Sequence, residues 1–365
     1  MTSQYQSNHS LNQFMEAALS AAKRTTVRVS PNPHVGAVVV KNGQVIATGW
    51  HEGPGSPHAE VMAIRAAGSA AVGSTLYVTL EPCDHFGRTP PCTEAILQAG
   101  IHTVHVAMVD PNPVVAGRGI SRLRSSGINV FLNDETQKAA EELNRPYITW
   151  MQQHRPWITL KVAHSLNGVI PAGSRSCPAY ITGSEGLTFV HQLRARRDAI
   201  LVGVGTVLAD DPQLTYRGIP PGADPLRVIL DTHGRTLIGS RVCNVNSKAQ
   251  TWIYTTDQSS AAWRNAMNSR GVRIISSGHD RVHIPTVIDD LADHGIQSVL
   301  VEGGPTIYAS FIAEELVDEW ITLLSPKMLQ RYEAASEQPK DLGLAVGTIE
   351  QLGRDLLIVA RRDPS

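Results

Sequence analysis

The chain has 365 residues, of which 42% are hydrophobic and 18% are charged, and this length is sufficient for about two domains that each bury a core. Its 32 basic side chains balance 33 acidic ones, for a formal net charge of -1, which argues against nucleic acid or an anionic membrane as a partner. Because the N-terminal segment is polar and no run of about 18 apolar residues occurs, the sequence predicts a cytoplasmic protein.

The first half of the sequence alternates between helical and strand patterns. The spacing of apolar residues predicts helices over 11–23, 59–67, 93–99 and 134–143, and strands over 35–40, 45–49, 75–80 and 104–109. Between the first two strands, Lys41-Asn42-Gly43 is typical of a hairpin turn. The alternation favours a mixed α/β domain built in layers.

A segment without clear periodicity, residues 147–157, divides the chain. We interpret it as a linker between a first domain, 1–146, and a second domain, 158–365. The second domain shows another α/β alternation. Its predicted strands cover 158–163, 199–204, 226–230, 251–254, 298–301, 318–324 and 356–361, and its predicted helices cover 184–196, 285–294 and 306–314.

Three residues of the first domain form a pattern typical of a catalytic zinc site. His58 precedes a predicted helix, Cys83 follows a predicted strand, and Cys92 opens the next helix. Imidazole and thiolate groups are zinc ligands, and a catalytic site leaves a fourth position for water. Glu60 lies two residues after His58, where it can move protons between that water and a substrate. The expected metal is one Zn²⁺ per chain.

The order His-x-Glu, Pro-Cys and a second Cys is that of enzymes that deaminate bases. Eight residues, 84–91, separate the two cysteines in this chain, whereas two is the usual number. Another interpretation stays open at this point. His85 could complete a closed structural zinc site as a fourth ligand, although its place two residues after Cys83 fits a pocket wall better.

Further motifs in the first half are SPNPHVG at 30–36, GWH at 49–51, PHAEV at 57–61, TLYVTLEPC at 75–83, GRTPPC at 87–92 and DPNP at 110–113. With these motifs the sequence resembles the bifunctional riboflavin-biosynthesis deaminase/reductase family. The GRTPPC insertion separates that family from nucleoside and tRNA deaminases. The resemblance implies that the first domain has a cytidine-deaminase-like three-layer α/β fold.

The resemblance also implies roles for individual residues of the first domain. It assigns zinc binding to the two cysteines and the histidine described above, and proton transfer to Glu60. The positions that match its pocket for the pyrimidine and the ribose phosphate are Asn32, His51, His85 and Arg88. An asparagine can pair with a pyrimidine edge, and Arg88 can form a fork on a phosphate. From the residues alone, Asn32 could equally shape a turn, and Arg88 could be a solvated surface charge.

The second domain lacks a Gly-x-Gly-x-x-Gly dinucleotide fingerprint. Its candidate for phosphate binding is the strand 299–301 with the following Gly303-Gly304 and a helix, since backbone N–H groups at such a helix start can hold a pyrophosphate. Taken by itself, the same pattern is also typical of a tight connection without a ligand.

Other motifs of the second domain are KVAHSLNG at 161–168, ITG at 181–183, LRA at 193–195, DAILVGVGTVLADDPQLT at 198–215 and EGGPT at 302–306. They resemble the reductase half of the same family, so that the likeness covers about 12–361. The resemblance implies a dihydrofolate-reductase-like fold and NADPH as the cofactor of this domain.

Carried over position by position, the resemblance implies two sets of contacts in the second domain. The cofactor set is Ala163, Tyr180, Thr206, Asp210, Thr232, Gly304, Pro305, Thr306, Ile307, Tyr308, Ala309 and Ser310. The substrate set is Arg194, Leu214, Arg217 and Glu302. Arg194 and Arg217 suit a ribose phosphate, while Lys161 and Asp210 are the polar candidates for catalysis. Outside the motif, Arg194 would be interpreted as an exposed helix charge.

The second domain departs from the family pattern at several positions. Asn167 stands where an aspartate is usual, Pro178 replaces a serine, and Tyr180 replaces a tryptophan. The segment 326–330, which ends at Gln330, lacks the usual glycine.

The resulting hypothesis is a bifunctional enzyme. It hydrolytically deaminates 2,5-diamino-6-ribosylamino-4(3H)-pyrimidinone 5′-phosphate with zinc and then reduces the ribosyl group with NADPH. The resemblance further implies a homo-oligomer, either a dimer or a tetramer. Two rival hypotheses are a tRNA or nucleoside deaminase fused to an inactive second domain, and a zinc-stabilised binding module in which both cysteines are structural.

Overall fold

The computed structural model describes residues 2–25, 28–86, 90–171, 181–218, 224–244, 246–329 and 342–362. These residues form two compact units, Met1–His154 and Arg155–Ser365. Among the described residues, no helix combines the length and the apolar character that crossing a membrane requires. Each unit contains its own sheet and its own hydrophobic core.

The first unit contains five helices and five strands among its described residues. The helices are α1 (Thr2–Ala22), α2 (Ala59–Ala67), α3 (Cys92–Gln98), α4 (Arg118–Ser125) and α5 (Asp134–Gln153). The strands are β1 (Gly36–Lys41), β2 (Gln44–Trp50), β3 (Thr75–Val78), β4 (Thr103–Val106) and β5 (Asn129–Leu132). The strand order is β2-β1-β3-β4-β5, with antiparallel β2-β1-β3 and parallel β3-β4-β5 pairs.

Helices cover both faces of this sheet because successive side chains of a strand point to opposite sides. On β1, Val39 packs in a core with α2, α3 and α4, whereas Val38 packs in a second core with α1 and α5. The three-layer α/β fold predicted from the sequence is therefore confirmed. Two glycines allow close packing: a Cβ on Gly36 would lie 2.1 Å from a backbone oxygen of α1, and one on Gly49 would lie 2.3 Å from a backbone oxygen of α2.

The sequence prediction is wrong at four places in this unit. The first is α1, which begins at Thr2 instead of residue 11, because residues 2–10 are almost all polar and show no apolar periodicity. Helix α4 and strand β5 are absent from the predicted set because each buries too few apolar side chains, Val130 alone in the case of β5. The fourth error concerns α5, which continues to Gln153 instead of ending at Leu143. It bends at Asn144 (φ -114°, ψ 15°), and Pro146 lies in the first turn after the bend, where a proline is tolerated.

Most of the predicted linker is therefore regular structure. Residues 147–153 belong to α5, and the first strand of the second unit begins at Trp157. The short segment 154–156 connects the two elements. His154 ends α5 in the left-handed conformation, with φ 50°.

The described residues of the second unit form a nine-stranded sheet. Its strands are β6 (Trp157–Ser165), β7 (Ala199–Gly203), β8 (Leu226–Leu230), β9 (Thr251–Thr255), β10 (Arg273–Ser276), β11 (Ser298–Val301), β12 (Glu319–Ser325), β13 (Leu344–Leu352) and β14 (Asp355–Arg362). Its helices are α6 (Ser184–Arg196), α7 (Val204–Asp210), α8 (Ala261–Asn268), α9 (Ile284–Asp293) and α10 (Pro305–Ala313). The elements α7, α8, β10 and β13 are absent from the predicted set.

The strand order places one crevice near the middle of this sheet. The order is β10-β9-β8-β7-β11-β6-β12-β14-β13, and the strands from β10 to β12 are parallel. The strands that follow β7 in the chain, β8 to β10, lie on one side of the β7–β11 pair. The strand that follows β11, β12, lies on the opposite side, beyond β6. Such a switch between neighbouring parallel strands leaves a crevice at their carboxyl ends, where ligands bind in open α/β sheets.

Candidate functional site

His58, Cys83 and Cys92 come together although they lie on three separate segments. His58 precedes α2, Cys92 is the first residue of α3, and Cys83 lies in the loop after β3. His58 Nδ1 lies 3.0 Å from Cys92 Sγ and 3.5 Å from Cys83 Sγ. All three ligand atoms lie within 4.8 Å of one another, and no fourth His, Cys, Asp or Glu of the described residues joins the group.

The hydrogen bonds of this cluster shift the pKa values of its two thiols in opposite directions. Cys83 Sγ accepts from the Cys92 side chain, from His58 and from the Cys92 backbone N–H at 3.4 Å, so the pKa of Cys83 falls to about 4 despite burial. The bond that Cys92 makes to Cys83, together with burial, raises the pKa of Cys92 well above its ordinary value. A nitrogen and two sulfur donors, one of them readily ionised, are a set that fits zinc with one position left for water.

Glu60 is the acidic group beside this cluster. It lies in the first turn of α2 and is only 3% exposed. Burial, reinforced by the charge of Cys83, raises the pKa of Glu60 to about 7. A carboxyl group that titrates near neutrality can both accept and return a proton, which is the requirement for general acid–base catalysis.

His51 and Asn32 form a pair next to the metal-ligand cluster. The Asn32 amide nitrogen lies 2.9 Å from His51 Nε2, and His51 Nδ1 lies 3.3 Å from the Pro57 carbonyl oxygen. Because a carbonyl only accepts, Nδ1 donates to Pro57 and Nε2 accepts from Asn32. Burial lowers the pKa of His51, which favours this neutral form. The ring of His51 packs edge-on against that of His58, with 5.8 Å between centroids.

Two buried polar residues hold the loops of this site and were not identified by sequence reasoning. Asn144 Oδ1 accepts from the His34 backbone N–H at 2.7 Å, and its amide donates to the His34 carbonyl at 3.0 Å. Glu81, 5% exposed, accepts from the backbone N–H groups of Gly117 at 2.9 Å and Ile120 at 3.2 Å. The His34 groups lie 110 residues from Asn144, and the backbone partners of Glu81 lie at least 29 residues from it, so no local pattern reveals these contacts.

The other predicted residues of the first unit differ in their placement. His85 is exposed, lines a small depression with Asn112 and Arg118, and does not join the metal-ligand cluster. The interpretation of His85 as a fourth zinc ligand is therefore not supported. Asp110 Oδ1 accepts from the Asn112 backbone N–H at 2.9 Å, as in a turn. Arg88 lies outside the described residues.

The second unit contains a cleft of about 1350 Å³ at the carboxyl ends of β7 and β11. It brings together nearly all the residues that the sequence predicted for the reductase site. They are Lys161, Ala163, Arg194, Thr206, Asp210, Leu214, Arg217, Thr232, Glu302, Gly304, Pro305, Thr306, Ile307, Tyr308 and Ser310. Ala309 is exposed but is not one of the lining residues, and Tyr180 lies outside the described residues.

A buried ion network lies at the β6 end of this cleft. Glu302 accepts two hydrogen bonds from Arg194, at 2.8 and 3.0 Å, and its second oxygen lies 3.1 Å from Lys161 Nζ. Burial alone would raise the pKa of Glu302, but the charges of Arg194 and Lys161 outweigh it and hold that pKa well below its usual range. The Arg194 fork is therefore occupied by Glu302, which disfavours the predicted fork from Arg194 to a ribose phosphate.

Asp210 and Gly304 leave polar groups of the cleft accessible to a ligand. Asp210 Oδ1 is buried without a hydrogen-bond partner among the described residues, and burial raises the pKa of Asp210. Gly304 precedes α10, and a Cβ placed on it would meet no atom within 4 Å. An unpaired acceptor and an open helix start fit the ribose hydroxyls and the phosphates of a dinucleotide.

Two further contacts shape the wall of the cleft. The Tyr308 hydroxyl donates to the Lys161 carbonyl oxygen at 2.7 Å, so Tyr308 also supports the strand that carries Lys161. The Asn167 amide donates to the Leu329 carbonyl at 2.7 Å and its Oδ1 accepts from the Leu329 N–H at 3.2 Å. An ionised aspartate could not make the first of these bonds, so this departure from the family pattern has a local structural role. Pro178 and Gln330 lie outside the described residues.

Comparisons with known families match both units. Residues 8–108 match the model of the cytidine and deoxycytidylate deaminase zinc-binding region. Residues 156–358 match the model of the RibD C-terminal domain. These matches confirm the two fold classes predicted from the sequence.

Relatives and solved structures match nearly the whole chain. The riboflavin biosynthesis protein RibD of Aquifex aeolicus is 39% identical over 355 residues, covering 96% of this chain and 98% of the relative, and that of Escherichia coli is 38% identical, covering 87% and 88%. The Acinetobacter baumannii RibD structure superposes with a TM-score of 0.86 at 34% identity, covering 98% of this chain and 100% of that one.

A second solved structure gives the same result. It is a diaminohydroxyphosphoribosylaminopyrimidine deaminase/5-amino-6-(5-phosphoribosylamino)uracil reductase from Thermotoga maritima, with a TM-score of 0.82 at 36% identity, covering 97% of this chain and 99% of that one. The cofactors of the two units are Zn²⁺ and NADPH, respectively. The chain belongs to the RibD family of bifunctional deaminase and reductase enzymes of riboflavin biosynthesis.

Proposed function

We propose that the first unit hydrolytically deaminates 2,5-diamino-6-ribosylamino-4(3H)-pyrimidinone 5′-phosphate and that the second unit reduces the ribosyl group of the product with NADPH. The final product is 5-amino-6-ribitylamino-uracil 5′-phosphate. We assign deamination to a domain of residues 1–146 and reduction to a domain of residues 158–365. The single observation that carries this proposal is that one chain combines a histidine–dicysteine cluster beside a buried glutamate with a wide cationic cleft.

In the deaminase reaction, His58, Cys83 and Cys92 would hold zinc, which when bound makes a water molecule acidic enough to act as a nucleophile near neutral pH. Glu60 is positioned to accept one proton of the attacking water while the water oxygen bonds to the amino-bearing ring carbon, and the other proton of the water passes to the adjacent ring nitrogen. Glu60 then returns the proton to the departing amino nitrogen, which leaves as ammonia. The raised pKa of Glu60, caused by burial, supports both transfers.

Recognition of the pyrimidine rests on the pair next to the cluster. The Asn32 amide nitrogen is engaged by His51, so its oxygen is the atom that faces a donor on the substrate. A diaminopyrimidinone offers N–H donors on its ring and amino groups. His85 and Arg88 would contact the ribose phosphate, as their positions in the motif imply.

In the reductase reaction, NADPH supplies a hydride when bound. The sugar opens to an imine, and the imine carbon, C1 of the ribose, receives the hydride while the imine nitrogen takes a proton. Lys161 is the group that supplies this proton, and Glu302 and Arg194 hold it in place. Asp210, with its unpaired buried oxygen, binds the cofactor. The protein contributes mainly orientation and electrostatics, because no protein nucleophile is needed.

The remaining substrate and cofactor contacts follow the lining of the cleft. Arg217, whose Nη1 donates to Gln213 at 3.0 Å, is the exposed arginine next to Leu214 and would meet the ribose phosphate. Thr206, Thr232 and the start of α10 would meet the cofactor.

We further infer a cytoplasmic homo-oligomer, a dimer or a tetramer, that binds no nucleic acid. The edge strand β13 supports self-association, because Val346 and Ile349 on it are 60% and 67% exposed. Mass measurement of the purified protein in solution tests this point. A monomer at all concentrations would contradict it.

One assay tests the proposed function as a whole. The purified zinc-loaded protein is given the diaminopyrimidine phosphate, and ammonia release and NADPH consumption are followed separately. Both signals should appear, with ammonia first. Ammonia without NADPH consumption would favour a deaminase with an inactive second domain, and silence of both signals would favour a zinc-stabilised binding module.

A further inference from the structure

The reductase cleft has more positive charge than the buried ion network of Glu302, Arg194 and Lys161 accounts for. Among the described residues, six Lys and Arg side chains line the cleft against two carboxylates, although the whole chain has a net charge of -1. Lys161 and Arg194 are matched by Glu302. The other lining arginines therefore give the cleft a surplus of positive charge, which indicates that its ligand has more than one anionic group.

Three of these arginines have side chains without a partner among the described residues. Arg235, Arg241 and Arg281 are exposed on the wall of the cleft, and their guanidinium groups make no ion pair or hydrogen bond within the part of the chain that the structure describes. A guanidinium group offers five N–H donors in a planar fork that matches a phosphate. These donors are available to a ligand.

The backbone beneath two of these side chains is fixed. Asp231, which is fully buried, accepts from the Arg235 N–H at 2.9 Å and from the Thr236 N–H at 2.7 Å. The Arg241 N–H donates to Asp211 Oδ1 at 2.9 Å. These two arginines therefore belong to loops whose backbone is already fixed, so less conformational entropy is lost when a ligand binds.

The strand order of the sheet separates these arginines from the buried ion network. Arg235 follows β8 and Arg281 follows β10, whereas Lys161 is on β6 and Glu302 follows β11. Strands β7 and β11 lie between β8 and β6. At ~4.8 Å per strand, the two ends of the cleft are roughly 14 Å apart. A cofactor with its nicotinamide at the Lys161 end therefore extends its adenosine towards the arginines.

We propose that Arg235, Arg241 and Arg281 form a binding site for the 2′-phosphate of the adenosine ribose and thereby select NADPH over NADH. This inference rests on the proposed function, since it assumes a nicotinamide dinucleotide in the cleft. The 2′-phosphate is the one group that distinguishes the two cofactors, and an arginine is the residue type that accommodates it in other dinucleotide sites. Forked, charge-assisted hydrogen bonds to a phosphate dianion are strong and specific.

The test compares fragments that carry only the adenosine end of the cofactor. Calorimetric titration of the full-length protein with 2′,5′-ADP and with 5′-AMP should show at least tenfold tighter binding of 2′,5′-ADP. The triple variant R235Q/R241Q/R281Q should lose about tenfold or more in affinity for 2′,5′-ADP, with little change for 5′-AMP. Each single variant should lose part of this difference. R270Q, at an exposed arginine outside the cleft lining, is the matched control and should bind both fragments as the wild type does.

The other outcomes separate the inference from the function on which it rests. If the wild type binds NADPH but the triple variant keeps full affinity for 2′,5′-ADP, the 2′-phosphate site is wrong. A triple variant that instead loses affinity for ribose 5-phosphate would assign these arginines to the substrate and would also overturn the proposal. If the wild type binds neither NADPH nor 2′,5′-ADP, the proposed reductase function itself fails.

Discussion

The two candidate sites are built in opposite ways. In the first unit, three ligand atoms lie within 4.8 Å of one another and a single buried carboxylate lies beside them. In the second unit, a cleft of about 1350 Å³ collects side chains from the ends of many strands and helices. The first site concentrates its chemistry in a few atoms, whereas the second distributes binding and charge over a broad surface.

This difference predicts how each site responds to the loss of one residue. A compact site has no substitute for a missing ligand or proton carrier, so one change should abolish its reaction. A distributed site should lose affinity or stability in steps, because its neighbours retain their contacts. Each variant below should also leave the reaction of the other unit unchanged.

The largest effect is expected for E60Q. The amide cannot carry the proton between water and the departing amino group, and loss of a general acid–base typically costs about 10²–10⁴-fold in rate. Ammonia release should fall by that factor, while NADPH oxidation with the deaminated intermediate should continue. The control E52Q changes an exposed glutamate of the same unit. Full ammonia release by E60Q would refute the role of Glu60.

The second prediction concerns the metal. C92S removes one of three ligands, so the zinc content measured by atomic absorption should fall from near one per chain to near zero, together with ammonia release. Reductase activity should persist, also after the wild type is treated with a chelator. C243A, at a buried cysteine of the second unit, is the control. Unchanged zinc in C92S would show that Cys92 is not a ligand.

A graded effect is expected for E302Q in the second unit. Removing the carboxylate leaves Arg194 and Lys161 without their partner, and breaking a buried pair costs about 3–5 kcal/mol. Because the folded pKa of Glu302 lies below its ordinary value of 4.5, its contribution to stability is present above that value and is lost as the pH falls through the lower folded pKa.

The unfolding of wild type and E302Q in urea can be followed by tryptophan fluorescence, which does not depend on ligand binding. The difference between wild type and E302Q should be largest near pH 7 and should shrink below about pH 4.5. E350Q, at an exposed glutamate, should match the wild type at every pH. A difference between wild type and E302Q that is independent of pH would contradict the ion-pair explanation.

Buried and exposed strands differ in how well the sequence predicts them. The strands β8 and β11 have the predicted bounds because their apolar runs, 228–230 and 299–301, mark strands that are buried on both faces. Strand β13 escaped prediction because it is an edge strand without a buried alternation, as the exposed Val346 and Ile349 show. Pattern reasoning detects burial, so an element that buries little is invisible to it.

For the sites, residue identity was the deciding signal. His58, Cys83 and Cys92 could be selected because few residue types bind zinc and their order is restrictive. Most of the reductase contacts could be carried over only by family resemblance, since a cleft formed by many strand ends has no local pattern. Glu81 and Asn144 escaped prediction because their functions depend on partners that are distant in the sequence.

Asn144 provides the smallest and most specific test of the contrast. N144A removes the bonds to the backbone N–H and carbonyl of His34, two residues from Asn32, and leaving such groups unsatisfied costs about 1–3 kcal/mol. The loop that carries Asn32 should become less well positioned, so the KM for the diaminopyrimidine phosphate should rise several-fold, with a smaller change in kcat. N129A, at an exposed asparagine, should leave both constants unchanged. An unchanged KM would show that the position of Asn32 is set by His51 alone. An equal loss of reductase activity would show that N144A acts by unfolding the chain and not through the deaminase pocket.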